Sequence, residues 1–169
     1  FWKIKMLTLY LYPELFGLPD NNPFGLKVDT FLRLNKLDYQ VDHIIDTQNA
    51  SRKQLPYLTD GKTVISDSQR IIEYLIMHYH LSIDDVMTPQ QKNLSTLVNR
   101  MLGEHLYWIM SYSRWQDPQY WPLFKAEFLQ HPIGLTAPLL EKAREYNIEK
   151  YYSQGIGRYQ AAEIYQAGI

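Results

Sequence analysis

The organisation of the chain follows from one stretch, Lys53-Gln-Leu-Pro-Tyr-Leu-Thr-Asp-Gly-Lys-Thr-Val-Ile-Ser-Asp-Ser68. A proline precedes a short apolar strand at Tyr57-Leu58, and Asp60-Gly61 suits a two-residue hairpin turn. The residues from Thr63 to Ile65 have the character of a second short strand. This stretch therefore predicts a β-hairpin entered from a proline.

A helix is predicted directly after the hairpin. Ser66 and Gln69 have the spacing of a capping box, so Ser66 is the predicted N-cap, and Asp67 and Ser68 fall in the first turn. The N–H groups of a first turn lack helical partners and lie at the positive end of the helix dipole, which favours a bound carboxylate. The simpler alternative is a turn and a cap, worth about 1 kcal/mol. The apolar face of this helix comprises Ile71, Ile72, Leu75, Ile76 and Tyr79.

The preceding segments predict a strand, a helix and a second strand. Residues Ile4–Tyr12 are nearly continuously apolar after Lys5, which indicates a strand buried on both faces. A polar loop over residues 13–22 follows, and Asn22-Pro23 supplies an N-cap and a first helical residue. Residues 39–45 alternate and then run apolar, which predicts the next strand. The order βαβ followed by ββα is typical of the thioredoxin-like fold.

Composition excludes several function classes. The chain has 169 residues, a net charge of -1 and no cysteine. It therefore offers no basic field for nucleic acid and no thiolate or disulfide chemistry of its own. No apolar run approaches the roughly 18 residues of a membrane span. The start, Phe1-Trp2-Lys3, lacks the features of a signal peptide, so we expect a cytoplasmic protein.

Several segments resemble one family. Leu55-Pro56 before a hairpin, and Asp67-Ser68 after it, resemble the glutathione transferase N-terminal domain. Asn22-Pro-Phe-Gly-Leu-Lys-Val-Asp-Thr-Phe-Leu-Arg33 is similar to the helix-opening segment of the branch that includes metaxin and failed-axon-connections proteins. Gly155-Ile-Gly-Arg158 is similar to a short motif of that branch.

The resemblance implies two domains. The fold class is an α/β thioredoxin-like domain over residues 1–80, a linker over 81–88 and an all-helical domain over 89–169 that ends early for this family. We expect a partner chain or a further segment to cover the apolar faces of the helical part. The resemblance also implies a homodimer.

The resemblance implies a glutathione site in the first domain. The main chain of Leu55, before a cis proline, pairs with the cysteinyl part of glutathione, and Asp67-Ser68 holds the γ-glutamyl end. The expected glutathione-binding residues are Gln54, Leu55, Pro56, Asp67 and Ser68.

Thiol activation has two candidate routes. In redox relatives Asn22-Pro-Phe-Gly25 would be Cys-Pro-Xaa-Cys, and both cysteines are replaced here. The Asn22 amide, helped by free N–H groups of the first helical turn, could donate hydrogen bonds to a ligand thiolate and lower its pKa. The alternative is that Asn22 only caps the helix. Many glutathione transferases use a tyrosine hydroxyl near the end of the first strand, so Tyr10 and Tyr12 offer a second route, and Tyr12 is the better candidate because it lies closer to the loop. The alternative for both tyrosines is core packing with a polar tip.

The second half is rich in aromatic residues. Tyr107, Trp108 and Tyr112 lie on the long helix that borders the pocket for an electrophilic co-substrate in the family. The alternative for them is ordinary helix packing. No spacing of His, Asp and Glu predicts a metal site.

Two functions remain open at this stage. The first is a glutathione transferase that conjugates glutathione, as co-substrate, to a small apolar electrophile. The second is a metaxin-like binding or scaffolding protein that keeps the fold without turnover.

Overall fold

The computed structural model describes residues 6–48 and 50–168. The chain divides into two compact units, the first ending at Val86 and the second beginning at Met87. This division falls inside the segment 81–88, where the sequence places a linker. Ile4 and Lys5, at the predicted start of the first strand, lie outside the described residues.

The first unit is a mixed sheet with two helices. In chain order it contains β1 (Leu7–Leu11), α1 (Pro23–Leu34), β2 (Tyr39–His43), β3 (Tyr57–Asp60), β4 (Thr63–Ser66) and α2 (Ser68–His78). The strand order is β2-β1-β3-β4. β2 is parallel to β1, whereas β3 is antiparallel to both β1 and β4. The thioredoxin-like order predicted from the sequence is confirmed.

The core of this unit lies where the helices cover the central strand. The alternate residues Leu7, Leu9 and Leu11 of β1 are buried, and Thr8 on the opposite face is buried as well. Apolar side chains of α1 and α2 complete the cluster at the 3.6-residue spacing of a helix. The buried core residues are Leu7, Leu9, Leu11, Val28, Leu32, Leu58, Ile71 and Leu75.

The hairpin turn lies one residue later than the sequence predicts. Asp60 pairs with Thr63 in the β3–β4 ladder, so the two loop residues are Gly61 and Lys62 and the prediction of Asp60-Gly61 is wrong. Asp60 stays in the strand because its carboxylate is buried and accepts a hydrogen bond from the hydroxyl of Tyr74 at 2.9 Å. Gly61 adopts φ 60°, which glycine tolerates at the first loop position.

The N-cap of α2 also differs from the prediction. Ser66 is the last residue of β4, and its hydroxyl pairs with that of Ser51 at 2.5 Å. Asp67 is the N-cap instead, and its side chain accepts from the N–H of Gln69. Ser66 is drawn away from the cap by this contact with the preceding loop. Ser68 becomes the first helical residue.

The second unit is all helical. It contains α3 (Pro89–Arg100), a π-helical segment (Met101–Leu106), α4 (Tyr107–Trp115), α5 (Trp121–Gln130), α6 (Ala137–Gln154), a 3-10 turn (Ile156–Arg158) and α7 (Ala161–Gln166). Ile109, Tyr112, Tyr151 and Ile164 form a buried cluster. The helical domain expected from the sequence is therefore confirmed. No helix of the described residues combines the length and apolar character that crossing a membrane requires.

The Gly155-Ile-Gly-Arg158 motif has a structural role. Gly155 ends α6 with φ 115°. A Cβ on Gly157 would lie 2.8 Å from the main-chain nitrogen of Tyr152, so the turn packs directly on the last turn of α6. The Arg158 side chain donates to the carbonyl oxygen of Tyr152 at 3.0 Å. The positive φ at the end of α6 explains Gly155, and close packing on α6 explains Gly157.

Candidate functional site

The sheet topology brings the predicted glutathione-binding residues to one edge. Because β3 is antiparallel to β1 and β4, the end of β1, the start of β3 and the end of β4 lie at the same edge of the sheet. The starts of α1 and α2 and the peptide of Leu55 therefore meet there. The three segments arrive from positions far apart in the sequence.

The loop before β3 presents the peptide of Leu55. The Leu55–Pro56 peptide bond is cis, and both residues are buried. The side-chain amide of Asn22 donates a hydrogen bond to the carbonyl oxygen of Leu55, with the two atoms 3.0 Å apart. No group in residues 6–48 or 50–168 accepts a hydrogen bond from the N–H of Leu55. This peptide keeps one donor, and a second lone pair on its carbonyl, for an extended ligand.

The start of α2 presents two more donors. Asp67 adopts φ 85°, a conformation that costs a non-glycine residue about 1–3 kcal/mol. Its Oδ1 accepts from the N–H groups of Gln69 and Arg70 at 3.0 and 3.2 Å. Neither the N–H nor the hydroxyl of Ser68 has a hydrogen-bond partner among the described residues. Since Ser68 lies at the positive end of the helix dipole, its two donors suit an anion.

The start of α1 offers less than the sequence suggests. Asn22 is the N-cap, as predicted, and its Oδ1 accepts from the N–H of Phe24 at 3.1 Å. Gly25 and Leu26 donate to the main-chain oxygen of Asn22 at 3.0 and 3.1 Å, and Pro23 has no N–H. The expectation of free first-turn N–H groups is wrong at α1, because the cap residue accepts them all. The second N–H of the Asn22 side-chain amide is the donor that remains.

Side-chain contacts hold these segments together. The Lys27 ammonium donates to Oε1 of Gln69 at 2.8 Å, which ties α1 to α2. An Arg52 guanidinium nitrogen lies 4.0 Å from a carboxylate oxygen of Asp67, which ties the loop before β3 to α2. Both pairs are exposed enough for solvent to weaken them. These two pairs help to position α1, α2 and the loop before β3 relative to one another. The hydrogen bond from Asn22 to the carbonyl oxygen of Leu55 does the same.

A buried carboxyl lies beneath the start of α1. Asp20 is 0% exposed, and its Oδ1 accepts from the N–H of Asn22 at 2.8 Å. Its Oδ2 has no hydrogen-bond partner among the described residues. Burial raises the pKa of this carboxyl to about 7, against the opposing effect of nearby main-chain N–H groups.

Glycine at position 25 lets the helix lie on this carboxyl. A Cβ on Gly25 would overlap Oδ2 of Asp20 and would lie 2.8 Å from Cδ2 of Leu11. Redox relatives of the fold carry a cysteine at the position of Gly25. The carboxyl of Asp20 fills the space that a cysteine side chain would need there. A cysteine at position 25 would therefore require the side chains of Asp20 and Leu11 to move.

Asp20 is the site residue that the sequence reasoning missed. It lies in the loop over residues 13–22, where aspartate and asparagine are ordinary loop residues and no periodicity marks burial. The residue in the sequence that could have indicated a buried group here is Gly25. Glycine inside a helix costs about 1 kcal/mol relative to alanine, so its presence indicates close approach by another group.

The remaining first-unit candidates have distinct environments. Tyr12 lies one residue past β1 and is half-buried, and its carbonyl oxygen accepts from Nδ1 of His43 at 2.7 Å. The ring of Tyr10 stacks on that of Tyr57 with centroids 4.1 Å apart. Gln54 is exposed beside Leu55. A catalytic role for Tyr12 or Asn22 stays a prediction.

The aromatic candidates of the second unit take part in its packing. Tyr112 is 6% exposed and belongs to the buried cluster of that unit. Trp108 is half-buried and meets Tyr151 edge-on, with ring centroids 6.3 Å apart. Tyr107 is half-buried as well. Their role in a co-substrate pocket stays a prediction. Among the described residues no cluster of three or more His, Asp or Glu side chains could hold a metal ion.

Fold and site together define a class of protein. A thioredoxin-like sheet has an open peptide edge and an open helix start at one end, and a helical unit follows it. Residues 23–120 match the family model of the glutathione S-transferase N-terminal domain. The chain belongs to the glutathione S-transferase family.

Two curated relatives align with nearly the whole chain. It is 29% identical over 175 residues to the isoprene-epoxide–glutathione S-transferase of Rhodococcus sp. (strain AD45), covering 97% of this chain and 73% of that one. It is 32% identical over 174 residues to Failed axon connections of Drosophila melanogaster, covering 96% of this chain and 41% of that protein. The chain therefore spans less than half of the Drosophila relative.

Solved structures share the fold at lower identity. The beta-etherase LigF from Sphingobium sp. strain SYK-6 matches with a TM-score of 0.58 and 14% identity, over 96% of this chain and 69% of that one. The theta class glutathione S-transferase from Xanthomonas axonopodis pv. citri, solved with glutathione bound, matches with a TM-score of 0.52 and 12% identity, over 89% of this chain and 69% of that one.

Proposed function

We propose that the chain binds glutathione in its first unit and conjugates the thiol to an apolar electrophile. The observation that carries the proposal is the set of three open donors at one sheet edge: the N–H of Leu55 and the N–H and hydroxyl of Ser68. An acidic peptide needs a main-chain hydrogen-bond partner and a place for its carboxylate. The N–H of Leu55 offers the first, and the two donors of Ser68 offer the second. The family supports the same ligand.

The proposed binding mode uses both ends of this edge. The Leu55 peptide pairs with the cysteinyl main chain, and Pro56 braces that edge. Ser68 donates hydrogen bonds to the α-carboxylate of the γ-glutamyl residue. The exposed carboxylate oxygen of Asp67 faces the ammonium group of the same residue. Gln54, exposed beside Leu55, adds a polar contact to the tripeptide. The cost of the Asp67 backbone conformation is the kind that a binding site retains.

The proposed chemistry is thiol activation without a protein nucleophile. The remaining N–H of the Asn22 amide donates to the sulfur and stabilises its anion, or the hydroxyl of Tyr12 does so. The thiolate attacks an electrophilic carbon. With an epoxide, the S–C bond forms as a C–O bond breaks, and the oxygen takes up a proton.

The proposed electrophile is small and apolar. The half-buried aromatic residues Tyr107 and Trp108 on α4 support this substrate class, whereas Tyr112 is buried in the packing cluster of its unit. The name of the Rhodococcus relative makes an epoxide the first compound to assay.

Binding is tested by calorimetric titration with glutathione. The native chain should bind glutathione, and Ser68→Ala should weaken binding about tenfold, the worth of one hydrogen bond to a charged group. Ser153→Ala is the matched control, since Ser153 is an exposed serine of the other unit. A native chain that releases no heat with glutathione would refute the proposal.

Turnover is tested by following conjugation of glutathione to an epoxide. Asn22→Ala should lower kcat, whereas Asn35→Ala removes a comparable amide at the other end of α1, where it donates to the carbonyl oxygen of Phe31. Comparing Tyr12→Phe with Tyr10→Phe shows which tyrosine acts. If glutathione binds and none of these changes alters the rate, the catalytic assignments are wrong.

One observation favours the second candidate, a binding or scaffolding protein. The Asn22 side chain already caps α1 and holds the Leu55 carbonyl, so a single N–H is left for a thiolate. The similarity to Failed axon connections fits this candidate. Glutathione binding without measurable conjugation would establish it over the transferase.

We also propose a homodimer, as the family resemblance implies. No residue of α3 is buried, and its apolar residues Leu94, Leu97 and Val98 are exposed. Burying such a stripe is favourable. Analytical ultracentrifugation should give twice the chain mass, and a stable monomer would contradict the proposal.

A further inference from the structure

We propose that Asp20 is a positioning residue that sets how strongly the start of α1 stabilises the thiolate of bound glutathione. The inference rests on the proposed function, because it requires a thiol beside Asn22. It assigns a role to a buried carboxyl at this edge that the binding scheme above does not use.

The geometry places Asp20 between the helix start and the sheet. Its Oδ1 holds the N–H of Asn22 at 2.8 Å, so the residue that caps α1 is itself fixed by the carboxyl. Its Oδ2 is directed at the first turn, where it would overlap a Cβ on Gly25. A negative charge at this point opposes the positive end of the helix dipole. When the carboxyl is neutral, the positive end of the α1 dipole keeps its full effect on a nearby anion.

The groups around the carboxyl do not neutralise it by charge. From α1, Asp29 faces it and adds to the rise in its pKa. Asp29 is occupied by its own partners, the guanidinium of Arg33 at 2.8 Å and the hydroxyl of Tyr39 at 2.5 Å. From the loop between β1 and α1, the main-chain N–H groups of Asn22, Tyr12 and Asn21 face the carboxyl and lower its pKa. Desolvation outweighs them.

Asp20 and the bound thiol therefore behave as two coupled acids. Ionisation of Asp20 places a like charge near the sulfur and raises the pKa of the thiol, and ionisation of the thiol raises the pKa of Asp20 by the same free energy. The pKa of Asp20, about 7, makes the coupling effective near neutral pH. The chain would then activate glutathione less at high pH than an uncharged residue at position 20 would allow.

The first experiment titrates the thiol in the complex. The ultraviolet absorbance of the thiolate is followed against pH with native chain saturated with glutathione, and again with Asp20→Asn. The variant should form thiolate in a single step with its midpoint lowered by about one pH unit. Asp84→Asn removes an exposed carboxylate of the same unit and should leave the native profile unchanged. Identical profiles for native chain and Asp20→Asn would overturn the inference.

The second experiment uses the native chain alone, so it does not depend on how well the variant folds. The carboxyl carbon of Asp20 is titrated by NMR in complexes with glutathione and with S-methylglutathione, which has no ionisable thiol. The midpoint should be higher in the glutathione complex. Equal midpoints would overturn the inference while leaving the proposed function intact. Absence of binding by both peptides would overturn the proposed function and this inference with it.

Discussion

Replacing Asp20 by asparagine keeps the volume of the buried side chain and removes its charge. In the folded chain the pKa of Asp20 is raised from its ordinary 3.8 to about 7 by burial. Between these values the folded state therefore binds more protons at Asp20 than the unfolded state does, so the contribution of Asp20 to stability is greatest below about pH 4 and falls as pH rises towards 7. A shift of about three units corresponds to about 4 kcal/mol.

The Asp20→Asn variant should lack this loss. Between about pH 5 and about pH 8, the native chain should lose about 2–3 kcal/mol more free energy of unfolding than the variant does. Urea denaturation followed through the NMR signals of Leu9 and Leu11 in β1 reports on the first unit alone. Comparing the two proteins at each pH cancels the other titrating groups. A difference in stability that is the same at both pH values would refute the assignment of a buried, neutral carboxyl.

Three further substitutions test the packing of the site. Gly25→Ala should destabilise the first unit by at least about 1–3 kcal/mol in urea denaturation, because its Cβ meets Asp20, and the loss should shrink in an Asp20→Ala background. Asn22→Ala should cost about 1–2 kcal/mol in the same assay, since it removes the cap and the link to the Leu55 carbonyl; an unchanged midpoint would contradict this. Asp67→Gly should leave the thermal midpoint unchanged or raised, because glycine relieves the positive φ and is itself an adequate N-cap, yet it should weaken glutathione binding in calorimetry.

The elements of the first unit can be predicted from the sequence because burial determines where apolar residues fall. The first strand is nearly continuously apolar, since both of its faces are covered, and Val28 and Leu32 repeat at helical spacing. The N-cap at Asn22 was visible for a local reason, since asparagine before proline suits a helix start.

The errors at the hairpin and at α2 have a common physical origin. Ser66 and Asp67 are both good caps, and the choice between them depends on Ser51, which lies 15 residues away and takes the Ser66 hydroxyl. The turn position depends on Tyr74, which lies 14 residues from Asp60. Such long-range hydrogen bonds leave no local pattern.

The central claim is that glutathione binds across the Leu55 peptide and the start of α2, and NMR titration of the isotope-labelled native chain tests it most directly. Adding glutathione at millimolar concentration should shift the amide signals of Leu55 and Ser68 first, with Asn22 and Asp67 following and the amides of the second unit little affected. The Ser68→Ala variant should need about tenfold more ligand for the same shifts. Amide shifts confined to the second unit, or none at all, would contradict the account.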